Sequence, residues 1–431
     1  MVSQHVRRGS RWAAAGLTAA LILAACGEGG GTANGNDEEA ASSAEGESDV
    51  TLRVGIWTDV APILDELGEG FEEETGIALE YSPTDVDTYQ TTVRTELNSG
   101  TGPDVLGMWP GDGNPMAMNV VHEFLDDLSD EPWVEEVPEA FVDLTEYEGE
   151  QKAIALSTAF IGLIRNVDVF EEHGWEVPRT WTETLELCDA INDEGLIPMA
   201  LALQTPWQTQ IATYGLVPTT VYQGTPDWNQ QRLDGEVTFA DSGWSEGLEK
   251  YLVLEDRGCF NDDALGTEYD GALQMVGTGE AAAMIQISSG LPQMAEYAEE
   301  ATFEMTPLAA SEDPDEVWAS AAAGSTFGVN ADADHPEEAR ELLRYLWENV
   351  DEAAAAIAAE PAFPTDAEPS PQLAEMAEML EAGRSASFPD QQWPNPEVQQ
   401  IHFAEIQRLF TGDTTVENAL GAMDEAFDAD N

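Results

Sequence analysis

Between residues 50 and 108 the apolar residues change period from two to 3.6 and back again, and this alternation restricts the chain to an α/β fold. Residues 50–57 carry Leu52, Val54 and Ile56 on one face, the two-residue period of a strand. Residues 62–75 place Ile63, Leu64, Leu67 and Phe71 at helical spacing, and Gly76 stops the helix. A second strand is expected at 77–81. A second helix at 85–99 gathers Val86, Tyr89, Val93 and Leu97 in one stripe, and a third strand covers 103–108. Strands joined by helices of this length predict a parallel sheet covered on both faces, because each parallel connection has to cross over the sheet.

The pattern returns further along. Strands are expected at 160–166, 196–203 and 281–287. Helices are expected at 168–173, after Thr180, at 246–256 and at 269–277. From Pro336 the chain turns mostly helical, at 336–349, 371–382, 396–410 and 415–427. Two α/β units followed by a helical tail imply two lobes with a groove between them. A chain of 431 residues, 42% apolar, is long enough for that, since a domain takes roughly 150 residues.

The first 26 residues place the protein outside the cytoplasm. Arg7, Arg8 and Arg11 precede a short apolar run that ends in Leu23-Ala24-Ala25-Cys26. This is a secretory signal of the lipoprotein type; the run is shorter than the roughly 20 residues of a membrane-spanning helix. Residues 1–25 are the expected signal and Cys26 the expected lipidation site. The alternative is an ordinary signal with a chance cysteine. Residues 27–49 contain no Leu, Ile, Val or aromatic side chain, so 26–49 read as a disordered acidic tether. The expected location is the outer face of the cell membrane, touched only through the lipid.

Charge excludes several partners. There are 85 acidic residues against 15 basic, a net charge of -70. Such a field repels nucleic acid and anionic membrane surfaces. Its self-repulsion is tolerable where salt screens it, which suggests a salty or alkaline habitat; an acidic solvated surface in ordinary medium is the alternative. With Cys26 committed to the anchor, Cys188 and Cys259 remain as an even pair, for which a disulfide is the default outside the cell. Two thiols and five scattered histidines make no metal cluster, and no cofactor is expected.

At this point the residues resemble a known family, the extracellular solute-binding proteins of carbohydrate importers, akin to maltose-binding protein. Phe71-Glu-Glu-Glu-Thr-Gly-Ile77 follows the first strand. Gly102-Pro-Asp-Val105 opens the third, with Trp109 beyond it. Phe160-Ile-Gly-Leu-Ile-Arg-Asn166 leads to Phe170 and to Pro178, Thr180 and Trp181. Gly279-Glu-Ala-Ala-Ala-Met284 and His335-Pro-Glu-Glu-Ala339 complete the series. The order and spacing of these blocks carry the resemblance, which runs from about Val50 to the C-terminus. It implies a periplasmic-binding-protein-like α/β fold, with two lobes joined by a hinge of several chain crossings. Residues 50–155 and 331–370 would form the first lobe, 156–330 and 371–431 the second. It also implies a monomeric receptor with a sugar ligand and the permease subunits of an ABC importer as partners.

Sugars present apolar C–H faces and many hydroxyls, so their sites need flat rings and polar groups that close around them. In open parallel sheets a ligand sits beyond the carboxyl ends of the strands. Trp57 and Asp59 lie at such an end, as do Trp109 and Asp112 in the loop Trp109-Pro-Gly-Asp-Gly-Asn-Pro115. Trp207 follows a strand. Gln286 and Ser288 leave the 281–287 strand, and Gly324 and Ser325 stand where relatives cross between lobes. Phe388 and Trp393 belong to a segment that either lids the groove or caps the second lobe. Relatives place a Gly-Pro-Trp near 288–290; Ser288-Ser289-Gly290 has no ring, so another aromatic has to take its part. Core packing is the competing account of the tryptophans, and loop solvation that of the aspartates. Trp133, Trp175, Trp181, Trp318 and Trp347 read as packing residues.

An enzyme is the weaker reading. No Gly-x-Ser-x-Gly, His-Glu-x-x-His or phosphate-binding glycine loop is present. A surface glycosidase needs only two carboxylates, which so acidic a sequence cannot single out; a non-transport adhesin is the other alternative. The charge makes its own prediction. The melting temperature should rise as NaCl approaches molar levels, where the Debye length falls to about 3 Å. A flat or falling melting curve would remove the habitat argument.

Overall fold

In the strand Thr51–Gly55, Leu52 and Val54 are buried while Thr51 and Arg53 face solvent. The helix Ala61–Thr75 lays Ile63, Leu64, Leu67 and Phe71 against the same core. The helix Val86–Ser99 buries Tyr89, Val93 and Leu97, and the Asp85 carboxylate caps it by accepting from the Thr88 N–H. The structure is a computed structural model that describes residues 50–298, 300–365 and 367–429. The signal at 1–25, Cys26 and the tether at 26–49 lie outside the described residues.

The first sheet runs in the order Ala78–Tyr81, Thr51–Gly55, Val105–Met108, Thr326–Val329, Ile154–Ala155. Its first three strands are parallel, as their helical crossovers require. Thr326–Val329 runs antiparallel to both of its neighbours. The second sheet is built on Ser157–Asn166, a ten-residue strand buried along nearly its whole length. It pairs antiparallel with Ala281–Ile287, Phe303–Thr306, Ala319–Ala323 and Glu360–Pro361. Ile197–Ala200 lies parallel to Ala281–Ile287 at one edge, and Ser385–Ala386 parallel to Ala319–Ala323 at the other. The parallel expectation therefore holds at the start of the chain and fails in the second sheet. Periodicity identifies a strand but does not give its direction.

Each sheet has its own core. The first gathers Leu52, Val54, Phe71, Trp133, Phe327 and Leu346. The second is rich in rings: Tyr214, Trp228, Phe239, Trp244, Trp393 and Phe427. The C-terminal helices Glu397–Thr411 and Val416–Asp428 pack into the second core. The chain passes from the second sheet to the first at Gly324–Ser325, between Ala319–Ala323 and Thr326–Val329. This crossing comes earlier than a boundary after residue 330.

Cys188 on the helix Trp181–Asp193 is joined to Cys259, with Cα atoms 5.2 Å apart and both side chains buried. The bond spans 71 residues of sequence, a loop whose closure entropy is worth about 4 kcal/mol. Cys188→Ser should lose stability of that order in denaturant titration. Alkylation of the unreduced, secreted protein should leave both cysteines unmodified; two alkylated thiols in the mass spectrum would show that the bond does not form.

Candidate ligand-binding groove

The two sheets meet where three stretches of chain pass between them, and a cavity of about 330 Å³ opens there. Its first wall rises from the carboxyl ends of two parallel strands, the place where open α/β sheets hold ligands. Trp57 and Asp59 follow Thr51–Gly55, and Trp109 follows Val105–Met108. The two indoles stack with centroids 4.1 Å apart and planes 19° from parallel. Trp57 is only 7% exposed and belongs to the first core. Trp109 is half-buried, so it is the ring with a face to offer.

Asp59 reaches the opposite side. Gln293, on the helix Gly290–Ala295, donates from Nε2 to Asp59 Oδ1 at 3.3 Å and to the Ser289 carbonyl at 3.0 Å. Burial pushes the Asp59 carboxyl up to about 6; the Gln293 hydrogen bond opposes the rise and nearby Asp270 adds to it.

The second wall comes from the second sheet and its helices. Trp207 lines the cavity with its ring edge-on to Tyr269, 4.9 Å between centroids. Ser288 continues Ala281–Ile287, and Tyr214 comes from the helix Ile211–Val217. Asp390, Gln391 and Gln399 line the same side. Gln399 Nε2 donates to Asp390 Oδ2 at 2.6 Å, and Gln391 Nε2 donates to the Ala323 carbonyl at 2.9 Å. Burial pushes the Asp390 carboxyl up to about 6 as well. The Tyr214 hydroxyl hydrogen-bonds to the Asp390 carboxyl, which opposes that rise, while the buried Gln391 Oε1 and Gln210 Oε1 have no partner.

Of the residues expected from sequence, Trp57, Asp59, Trp109, Trp207, Ser288, Gly324 and Ser325 line this cavity. Asp112, Gln286 and Trp393 do not. Gln286 is fully buried, donating to Gln208 Oε1 at 2.9 Å and accepting from the Ile287 N–H. Trp393 is fully buried against Tyr214, Phe239, Trp244 and His402, where it packs the second core. Asp112 lies behind the wall; its backbone N–H donates to the Gln391 carbonyl at 3.0 Å, and burial raises its carboxyl to about 6. That contact depends on glycine. A Cβ on Gly111 would stand 2.0 Å from the Gln391 carbonyl oxygen, and one on Gly113 2.0 Å from that of Asp390. The 109–115 loop thus serves as a seat for residues 390–391, an approach only side-chain-free backbone permits.

Sequence reasoning missed Tyr214, Asp390, Gln391 and Gln399. One signal was available. Gln399 and His402 interrupt the apolar stripe of Val398, Phe403, Ile406 and Leu409, and a buried polar residue in such a stripe needs a partner. Among the described residues no group of three or more His, Cys, Asp or Glu side chains is placed to hold a metal ion. No helix among them is long and apolar enough to cross a membrane.

Comparison with known proteins bears on the fold and the family. The osmoprotective compounds-binding protein GgtB of Synechocystis is 30% identical over 141 residues, 31% of this chain and 32% of its own length. The match therefore spans about a third of that relative. Among solved structures, a chain from work on xylan utilization by Caldanaerobius polysaccharolyticus superposes with a TM-score of 0.74 at 17% identity, covering 88% of this chain and 100% of its own. A Bacillus licheniformis sugar transporter protein in complex with stachyose gives a TM-score of 0.69 at 17% identity, with 88% and 99% covered. These likenesses show the fold, two α/β lobes of the periplasmic-binding-protein kind. Residues 56–350 match the family described as bacterial extracellular solute-binding protein, and the chain belongs to that family.

Proposed function

We propose that this protein is the receptor of an ABC importer, capturing a sugar or short oligosaccharide between its lobes and handing it to the permease subunits. The observation that carries the reading is the pairing of walls in the cavity. A stacked indole pair stands on one side, and the polar side chains of Ser288, Asp390, Gln391 and Gln399 stand on the other. Rings bury the C–H faces of a sugar, while polar side chains exchange hydrogen bonds with its hydroxyls. The names of the relatives point the same way, toward osmoprotective compounds and stachyose. We assign Trp109, Trp207, Asp59, Ser288, Ser325 and Asp390 to ligand contact, with Trp57 as the backing ring.

The remaining assignments extend this reading. Cys26 carries the lipid, and the acidic tether at 26–49 leaves the lobes free to turn. The first lobe holds the sheet containing Thr51–Gly55, and the second holds the sheet containing Ser157–Asn166. The two swing about their crossings as ligand bridges them. The protein acts as a monomer and leaves its ligand chemically unchanged.

A thermal-shift screen over neutral mono- and disaccharides tests the function. A bound sugar at 100 times Kd adds about 2.7 kcal/mol to stability. No shift across the panel, or release of reducing sugar by the purified protein, would sink the receptor reading.

Replacing single rings separates site from core. Trp109→Ala should weaken sugar binding by about 1–3 kcal/mol with little change in melting temperature, since a half-exposed ring is lost. Trp393→Ala should instead cost about 3–5 kcal/mol of folding stability, because it empties a fully buried site. Calorimetry of both variants decides the matter. Unchanged sugar affinity in Trp109→Ala would remove that ring from the site.

A further inference from the structure

Asn114 belongs to the loop from Trp109 to Pro115 and is only 7% exposed, yet it lines the cavity. Its amide has one fixed orientation. The Met116 N–H can only donate, so the Asn114 atom 2.9 Å from it is Oδ1. Gln90 lines the cavity from the helix Val86–Ser99 and donates from Nε2 to the same oxygen at 3.2 Å. A backbone N–H thus orients Asn114, and Asn114 in turn orients Gln90. The two atoms left over are a donor, Asn114 Nδ2, and an acceptor, Gln90 Oε1. Among the described residues neither has a hydrogen-bond partner, and neither is sealed from solvent.

The fold uses only the oxygen of Asn114. An aspartate would accept from Met116 and Gln90 equally well, and this chain carries 85 acidic residues. The amide nitrogen is therefore surplus to the loop. A polar side chain nine-tenths buried that keeps an idle donor at a cavity costs stability unless something there accepts from it. What answers both free atoms follows from their pairing. A carboxylate or an ether oxygen only accepts, and an ammonium only donates. A hydroxyl does both. The Trp109 N–H donates to the Met116 carbonyl at 3.1 Å, so the half-buried ring and the amide pair are held on one wall by the same loop.

We propose that Asn114 and Gln90 are specificity-determining residues of the groove. Asn114 Nδ2 donates to a sugar hydroxyl, and Gln90 Oε1 accepts from that hydroxyl or its neighbour, while the sugar ring lies against Trp109. The proposal rests on the carbohydrate reading of the same cavity. It adds which atoms of the first wall read the ligand and what they reject. An analogue without the hydroxyl leaves these atoms unpaired, and a site built to hydrogen-bond a hydroxyl discriminates strongly against its absence.

Titration calorimetry on the intact protein with glucose, galactose, mannose, maltose, cellobiose and trehalose finds the tightest-binding sugar, and the monodeoxy forms of that sugar are the matched probes. On the unaltered protein at least one monodeoxy form should bind about tenfold or more weakly than its parent, equivalent to about 1.4 kcal/mol. Asn114→Asp keeps the acceptor for Met116 and Gln90 but replaces the free donor, and Gln90→Met removes the free acceptor. In both variants the parent sugar should lose about tenfold in affinity. The ratio of parent to deoxy affinity at the read position should fall toward one, while the penalties at the other positions stay. A merely structural role would weaken every probe in proportion and leave the ratios as they were. Gln90 is half-buried on a helix surface, so Gln90→Met carries the test alone if Asn114→Asp does not fold. Ratios unchanged in Gln90→Met, or no monodeoxy form penalised on the unaltered protein, would overturn the proposal and leave the carbohydrate reading standing. If none of these sugars binds, the carbohydrate reading falls and this proposal falls with it.

Discussion

Ser157 ties the two sheets together at the point where the chain passes between them. Its carbonyl accepts from the Gly324 N–H at 2.7 Å, and its Oγ accepts from the Ser325 N–H at 2.9 Å. The neighbouring Leu156 N–H donates to the Ser325 carbonyl at 2.8 Å, and the Leu156 carbonyl accepts from the Ala362 N–H at 3.1 Å. Three passages of chain thus share one hydrogen-bonded knot. A Cβ on Gly324 would come within 2.5 Å of Ser157 Oγ, so the approach depends on glycine at that position. The knot also lines the cavity: Ser157, Gly324 and Ser325 all face it. A change in angle between the sheets is therefore felt first at the base of the groove, among residues that would touch a ligand. This is the arrangement expected of hinge closure, in which a few residues absorb the motion.

The scarcity of positive charge decides where those charges go. Most of the lysines and arginines from Arg53 onward are engaged in ion pairs. Glu131 is almost fully buried and is held by Arg340 and Arg344 together; Arg340 also reaches Asp126. Arg232 is buried beneath Asp424 and Asp428, with its guanidinium 4.2 Å from the Phe427 ring centroid. These pairs fasten the C-terminal helices and the 336–348 helix to the body of the protein. Breaking one would leave a buried charge alone, which costs more than the pair contributes. The groove receives none of this positive charge. Its buried carboxylates Asp59 and Asp390 keep neutral partners, the Gln293 and Gln399 amides and the Tyr214 hydroxyl, and their raised pKa values record the burial they bear.

Much of the fold was legible because local signals and tertiary structure agree. The alternation of period at residues 50–108 set out three strands and two helices, and the structure places them within a residue or two. The carboxyl ends of two of those strands then located Trp57, Asp59 and Trp109 in the cavity. What was not legible involves direction and distance. Nothing in the sequence of Ser157–Asn166 says that four of its partners run antiparallel, because a strand's side-chain period is the same either way. Trp393 and Asp390 are three residues apart in one turn-rich segment. One fills the core and the other lines the groove, and composition alone does not say which way each side chain turns. Tyr214 and Gln399 reach the groove only through packing of helices more than 180 residues apart in sequence, which no local pattern reports.

Buried polar side chains are fixed by specific neighbours, in the body of the protein and at the groove alike. In the body of the protein Asn166 bonds the Val276 carbonyl and the Val169 N–H, and Asn330 Nδ2 donates to the Pro103 carbonyl. At the groove the Asp390 carboxyl is hydrogen-bonded by Gln399 and Tyr214, and Gln391 Nε2 donates to the Ala323 carbonyl. Such groups lower stability when they are left alone. They are held in place all the same, by Gln399, by the Ala323 carbonyl and by the core around Tyr214. The Gly111–Gly113 seat adds a backbone constraint, fixing residues 390–391 against the opposite wall.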